Sequence, residues 1–169
     1  FGELFDVDLE EESPKPSPGG EFIPIQDLLQ KGQEILIQIT KDPIGTKGPR
    51  ATSEISLPGR FIVLIPKTDH IAVSRKITSW AEKRRLRDIV RGVKPDNYGV
   101  IIRTVAQGKG EEEFRNEIKS LTKQWEKLQK RAQRTGAPAL IHREMGMTSS
   151  LIRDLFNDEV DKVLVDSKR

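Results

Sequence analysis

The feature that most constrains this chain is an alternation of apolar β-type runs with a helical period. Phe61-Ile62-Val63-Leu64-Ile65-Pro66 is a continuous apolar run that follows Pro58-Gly59-Arg60, and Val100-Ile101-Ile102 is a second, β-branched run flanked by Gly99 and Gly108. Such runs read as buried strands. Between them Leu86, Ile89, Val90 and Val93 recur at i, i+3, i+4 and i+7, the stripe of an amphipathic helix, and Ser79 with Glu82 forms a capping box at its start. Strand, helix, strand in that order predicts a right-handed parallel crossover between the two runs, a βαβ unit within a mixed α/β (α+β) fold.

The carboxyl end of the second run carries the chemistry. Arg103 and Thr104 follow Ile102 directly, and in open α/β sheets that end of a strand faces the ligand crevice. A guanidinium beside a hydroxyl offers a planar fork and a further donor, the set that a phosphate dianion takes. On composition alone the commoner setting of a lone Arg-Thr pair is a surface ion pair. Downstream, Gln107-Gly108-Lys109-Gly110 lacks the spacing of a nucleotide phosphate loop and the Ser/Thr after its lysine.

A long helix is predicted next, with Glu111, Glu112 and Glu113 near its positive end, an apolar stripe of Phe114, Ile118, Leu121, Trp125 and Leu128, and a stop at Gly136 and Pro138. Ala139-Leu140-Ile141-His142 reads as a short strand. Thr148 caps a last helix that runs through Phe156, and Val163 to Asp166 reads as a final strand. Upstream, a helical turn around Ile25 to Gln30 precedes a hairpin, in which Ile35, Ile37 and Ile39 alternate with Leu36 and Gln38, residues 41–50 turn the chain, and Ala51 to Leu57 returns. Residues 1–22 join six carboxylates within the first dozen positions to a Pro/Gly/Ser stretch, and are expected to be a disordered, solvated insertion.

Formal charge is +3 despite that acidic start, so the remainder is clearly basic and suits a polyanionic partner. The cations cluster on the hairpin loop, as Lys41, Lys47 and Arg50, after the first apolar run, as Arg75 and Lys76, and on the helix face that carries Lys83, Arg84, Arg85, Arg87 and Arg91. These are the candidate contacts to a nucleic-acid backbone, in particular Lys41, Lys47, Arg50, Lys76, Arg84 and Arg87; the competing reading is a scaffold module whose basic helix docks on an acidic protein. The absence of cysteine excludes disulfides and thiolate metal sites. His70 and His142 lack a paired metal-ligand spacing, and Asp154, Asp158, Asp161 and Asp166 lie along helix and loop without the convergence that two-metal chemistry needs, so no catalytic residue and no metal site is expected. No run approaches the ~18 apolar residues of a membrane span. The chain opens on Phe1 and breaks off soon after an apolar run, and is read as a piece of a longer protein.

The succession Ile25-Gln26-Asp27-Leu28-Leu29-Gln30-Lys31-Gly32-Gln33-Glu34, Gly45-Thr46-Lys47-Gly48, Ile55-Ser56-Leu57-Pro58-Gly59-Arg60, Ser74-Arg75-Lys76, Val100-Ile101-Ile102-Arg103-Thr104 and Ala139-Leu140-Ile141-His142 resembles the ribonuclease E/G family of bacterial RNA-processing endonucleases. The resemblance implies that residues 23–57 end an S1 domain of OB fold, here an incomplete barrel, that 58–147 form a 5′-sensor domain, and that 148–169 begin a segment of an RNase H-like domain. It implies a cytoplasmic, homo-oligomeric, magnesium-dependent endoribonuclease, with zinc at a protomer link, as the parent. This piece would hold no cofactor, would not cleave, and would recognise single-stranded RNA with a 5′-monophosphate. By the same resemblance the phosphate is gripped by Arg103 and Thr104, with Arg75 and with backbone at Gly59 and Val63. A second arginine of the family pattern is Lys76 here, which keeps the charge and loses the fork.

Overall fold

Two sheets and four helices make up the computed structural model, which describes residues 24–156, 160–164 and 166. The acidic segment 1–22 lies outside the described residues. In chain order the elements are α1 (Ile25–Leu28), β1 (Gln38–Lys41), β2 (Arg50–Thr52), β3 (Leu57–Pro58), β4 (Ile62–Pro66), β5 (Ile71–Val73), α2 (Trp80–Val93), β6 (Tyr98–Ile102), α3 (Glu111–Arg134) and α4 (Met147–Leu155). The fold is the mixed α/β class that the sequence predicts, and among the described residues neither sheet closes into a barrel.

The larger sheet has the order β3-β4-β6-β5, which places both apolar runs in its interior. A strand in the middle of a sheet can be covered on both faces, and an uninterrupted apolar sequence is what such cover requires. Ile62 and Leu64 of β4 and Val100 and Ile102 of β6 turn to one face and are fully buried. There they meet Leu86 and Val90 of α2 and Phe114, Ile118, Leu121 and Trp125 of α3, so both predicted helical stripes cover the same side of the sheet. Each fully buried side chain of this size stabilises the fold by about 2 kcal/mol relative to exposure. Ser79 caps α2 by accepting from the Glu82 backbone N–H, and Glu113 reaches back to the Gly110 N–H at the start of α3.

The connectivity differs from the predicted crossover. β4 and β6 run antiparallel, with Ile62 opposite Ile102 and Leu64 opposite Val100. The parallel neighbour of β6 is β5, with Ile71 opposite Val100 and Val73 opposite Ile102. The parallel unit is therefore β5-α2-β6. Three half-buried residues are too few to show a period, and β5 was hidden in what the sequence presents as a polar loop.

The hairpin forms, but it is shorter than its alternation suggests: Gln38 pairs with Thr52 and Ile39 with Ala51. Beyond them the Gln38 side chain replaces the ladder, its Oε1 accepting from the Ser56 N–H at 2.8 Å and its Nε2 donating to the Ser56 carbonyl at 3.2 Å. Ile35 and Ile37 precede β1, and Leu57 belongs to the larger sheet, opposite Leu64. The predicted strand at Ala139 to His142 does not form; Leu140 is exposed and its carbonyl accepts from Arg131 instead of from a ladder. Thr148 lies inside α4, whose cap is Gly146. Val163 and Leu164 are in no strand, and Val165 lies outside the described residues.

Candidate functional site

Three strand ends meet at one end of the larger sheet. Because β5 is parallel to β6 and β4 antiparallel to it, the carboxyl ends of β5 and β6 lie beside the amino end of β4. The ladder continues past the strands on both sides, as Ser74 N–H donates to the Ile102 carbonyl at 2.9 Å and Arg103 N–H to the Phe61 carbonyl at 2.8 Å. The Ser74 and Thr104 hydroxyls stand 3.0 Å apart in a hydrogen bond, which ties the loop bearing Arg75 and Lys76 to Thr104. Thr104 opens a short 3₁₀ turn that ends at Ala106.

Arg103 projects from this junction and is mostly buried, with 16% of its side chain exposed. Its Nη1 donates to the Gly59 carbonyl at 2.7 Å, to Asp154 Oδ1 at 2.8 Å and to the Arg60 carbonyl at 3.3 Å. Asp154, on α4, also accepts from Arg153 Nε at 2.9 Å, and Arg153 in turn donates through Nη1 to the Pro58 carbonyl at 3.2 Å. Burial works to raise the Asp154 carboxyl, but the two guanidiniums outweigh it and hold the group at about 2. One carboxylate thus fastens α4 to the β3–β4 turn through two arginines.

That turn is braced from the other side by Glu117 of α3. Its carboxylate accepts the consecutive N–H groups of Arg60, Phe61 and Ile62, the last two at 3.0 Å. Successive N–H groups of this kind form an anion nest, here filled by an internal carboxylate. Burial pushes the Glu117 carboxyl up, opposed by the three N–H groups and by Arg103. Gly59 is required by this close approach, since a Cβ there would lie 2.7 Å from Glu117 Cδ and 3.1 Å from the Ile62 carbonyl oxygen. Arg60 donates to the Phe156 carbonyl, and Arg60 and Lys109 both stand over the Phe61 ring, at 5.3 and 5.6 Å from its centroid.

The loop after Thr104 is held by α2. Gly108, at φ +73°, donates its N–H to Glu82 Oε1 at 2.9 Å, and Arg85 bridges Glu82 to the Lys109 carbonyl. Arg85 first, and then the Gly108 N–H, hold the Glu82 carboxyl at about 2.

The structure brings Arg103, Thr104 and Gly59 together and places Arg75 and Lys76 next to them through Ser74. Val63 lies farther along β4, between Pro58 and Ile101. Lys41, Lys47 and Arg50 belong to the hairpin, a separate sheet. Arg84 and Arg87 sit on α2, where the basic face is interleaved with acids: Arg85 pairs with Glu82, and Arg91 and Arg84 share Asp88. In the sequence Ser74 stands out only within Ser74-Arg75-Lys76 and Asp154 only as a possible metal ligand, while Glu117 and Arg153 do not stand out. No local spacing marks these residues; the one available signal was that a mostly buried arginine needs an acid.

The profile of the ribonuclease E/G family matches residues 56–169. Ribonuclease E of Nostoc sp. (strain PCC 7120) is 43% identical over 143 residues, which cover 85% of this chain and 21% of that protein. Ribonuclease G of Escherichia coli (strain K12) is 36% identical over 144 residues, covering 85% of this chain and 29% of that protein. Ribonuclease E of Synechocystis sp. (strain PCC 6803) is 37% identical over 143 residues, again covering 85% of this chain and 21% of that protein. The chain therefore spans between a fifth and a third of the length of these curated relatives. The profile match covers the whole of the larger sheet, all of α2 and α3, and the Arg103 junction, and on this basis the chain belongs to the ribonuclease E/G family.

Proposed function

We propose that this chain recognises the 5′-monophosphate end of single-stranded RNA and contributes that recognition to an RNA-processing endoribonuclease. The observation that carries this reading is the junction at the carboxyl ends of β5 and β6, where Arg103, the Thr104 hydroxyl and the loop bearing Arg75 and Lys76 lie side by side. Arg103 supplies a charged fork, Thr104 a hydroxyl donor, and Arg75 and Lys76 the positive field that draws a polyanion in. A terminal monophosphate presents more oxygens to such donors than an internal phosphodiester does, and a 5′-hydroxyl presents none. The scaffold alternative is less well supported, because Glu82 and Asp88 already engage Arg84, Arg85 and Arg91 on the α2 face.

Magnesium and zinc, which the resemblance implies for the parent, do not fit the described residues. No three His, Asp or Glu side chains converge among them, Asp154 is committed to two arginines, and the sequence has no cysteine. No step of hydrolysis is assigned to these residues. No helix among the described residues is long and apolar enough to cross a membrane.

The test is a binding comparison in the full-length protein without divalent cations, using one oligoribonucleotide with a 5′-monophosphate or a 5′-hydroxyl. Arg103→Ala should weaken monophosphate binding at least about tenfold, the equivalent of one charged hydrogen bond, and leave 5′-hydroxyl binding nearly unchanged. Equal losses for both RNAs would make Arg103 a general backbone contact or a fold-stabilising residue.

A further inference from the structure

We propose that Asp154 is a positioning residue for the phosphate-binding arginine: it fixes the Nη1 corner of Arg103 so that the guanidinium presents its Nε–Nη2 edge to the RNA 5′-phosphate. The inference rests on the proposed function above and adds a specificity determinant from a helix that itself carries no phosphate-binding candidate.

A free arginine side chain samples many rotamers, and its fork can grip a phosphate through either of two edges. Here all three acceptors of Arg103 among the described residues, the Gly59 carbonyl, the Arg60 carbonyl and Asp154 Oδ1, converge on the single atom Nη1. Nε and Nη2 are left without an acceptor among the described residues, and they are a pair of parallel N–H donors at the spacing of two phosphate oxygens. An acid placed to neutralise the arginine fully would take two of its nitrogens, as Asp154 does with Arg153 through Nε and Nη2. The contrast between the two arginines on one carboxylate is the central observation. Arg153 is consumed in a fork-to-carboxylate pair and a bond to the Pro58 carbonyl, whereas Arg103 is held by one corner. Asp154 is 8% exposed, so this restraint acts where solvent screens it little.

The same contact admits an opposite consequence, in which the carboxylate competes with the phosphate for Arg103. The two differ in sign. In the full-length protein without divalent cations, affinities are measured for the 5′-monophosphate and 5′-hydroxyl oligoribonucleotide with Arg103→Ala, Asp154→Ala, Asp154→Asn and the Arg103→Ala/Asp154→Ala double variant. Positioning predicts that Asp154→Ala lowers the monophosphate preference about fivefold or more, that the double variant loses little beyond Arg103→Ala, and that Asp154→Asn, which keeps an acceptor oxygen for Nη1, retains part of the preference. Binding of 5′-hydroxyl RNA stays the same in every variant, a result that general unfolding would not give. An unchanged or strengthened monophosphate preference in both Asp154→Ala and Asp154→Asn, with Arg103→Ala still losing it, overturns the inference and leaves the 5′-phosphate reading intact. If Arg103→Ala itself keeps the preference, the 5′-phosphate reading fails, and the role of Asp154 falls with it.

Discussion

Arg103 and Asp154 are 51 residues apart in the chain and 2.8 Å apart in the structure. The first closes β6, the second lies in the last turn of α4, and their contact draws α4 onto the β3–β4 turn. The position of Arg103 is thereby linked to the docking of a helix that follows the main α/β unit. The consequences extend to stability, to loop order and to specificity.

The Asp154 contact should show in the acid limb of stability. Its carboxyl is held at about 2, below the ordinary 3.8, so it contributes stability that is fully present above pH 4 and is lost as pH falls through 2. The difference amounts to about 2 kcal/mol. Thermal unfolding of the parent sequence and of Asp154→Asn between pH 2 and 6 should give a gap that is full above pH 4 and closes toward pH 2. A gap independent of pH would mean that packing, not charge, sets the effect.

Glu117 satisfies three consecutive N–H groups in the β3–β4 turn. Glu117→Ala leaves those donors without their acceptor and should destabilise the protein by about 2–3 kcal/mol, read as a lower midpoint in denaturant. Glu117→Gln keeps one acceptor oxygen and should fall between. Gly59→Ala acts on the same turn from the other side, forcing Glu117 or the Ile62 carbonyl to move, and should cost about 1–2 kcal/mol.

Glu82 secures the loop after Thr104 by accepting from Gly108 while paired with Arg85. The pair is exposed enough that Glu82→Ala should change global stability by less than about 1 kcal/mol. Amide exchange at Gly108 should nevertheless accelerate clearly, since its N–H loses its acceptor. Unaltered protection at Gly108 would show that the backbone alone holds the loop.

Two aromatic residues, one on α2 and one on α3, differ sharply in burial. Phe114 is fully buried between α3 and the sheet, and Phe114→Ala should cost about 3–5 kcal/mol. Trp80, at the first turn of α2, is 76% exposed, and Trp80→Ala should stay within about 0.5 kcal/mol. Equal losses from the two would contradict the burial assigned to these helices.

The parts of the fold carried by long periods were legible in the sequence. The stripe of α2 runs over about two turns and that of α3 over about four, and the runs at β4 and β6 are too apolar to lie at an edge. Strand direction was not legible, because it turned on β5, three residues long and only half-buried. The alternation at Ile35, Ile37 and Ile39 predicted a hairpin strand, which begins only at Gln38, and these three residues stay about half exposed, since hydrophobic pattern specifies a face but not what covers it. At the site, Arg103 and Thr104 were visible as a local pattern at a strand end, and Gly59 only through the family resemblance. Asp154, Arg153 and Glu117 were not, because they meet the junction from distant helices and only tertiary packing gives them their role.

Whether the terminal phosphate of RNA sits on Arg103 is decided by an experimental structure of the full-length protein with a 5′-monophosphorylated oligoribonucleotide bound. Terminal phosphate oxygens are expected about 2.7–3.0 Å from Arg103 Nε and Nη2, with a further bond from the Thr104 hydroxyl and Asp154 still on Nη1. A terminal phosphate held elsewhere, on the cations of α2 or of the β1–β2 hairpin, with the Arg103 fork empty, would contradict it.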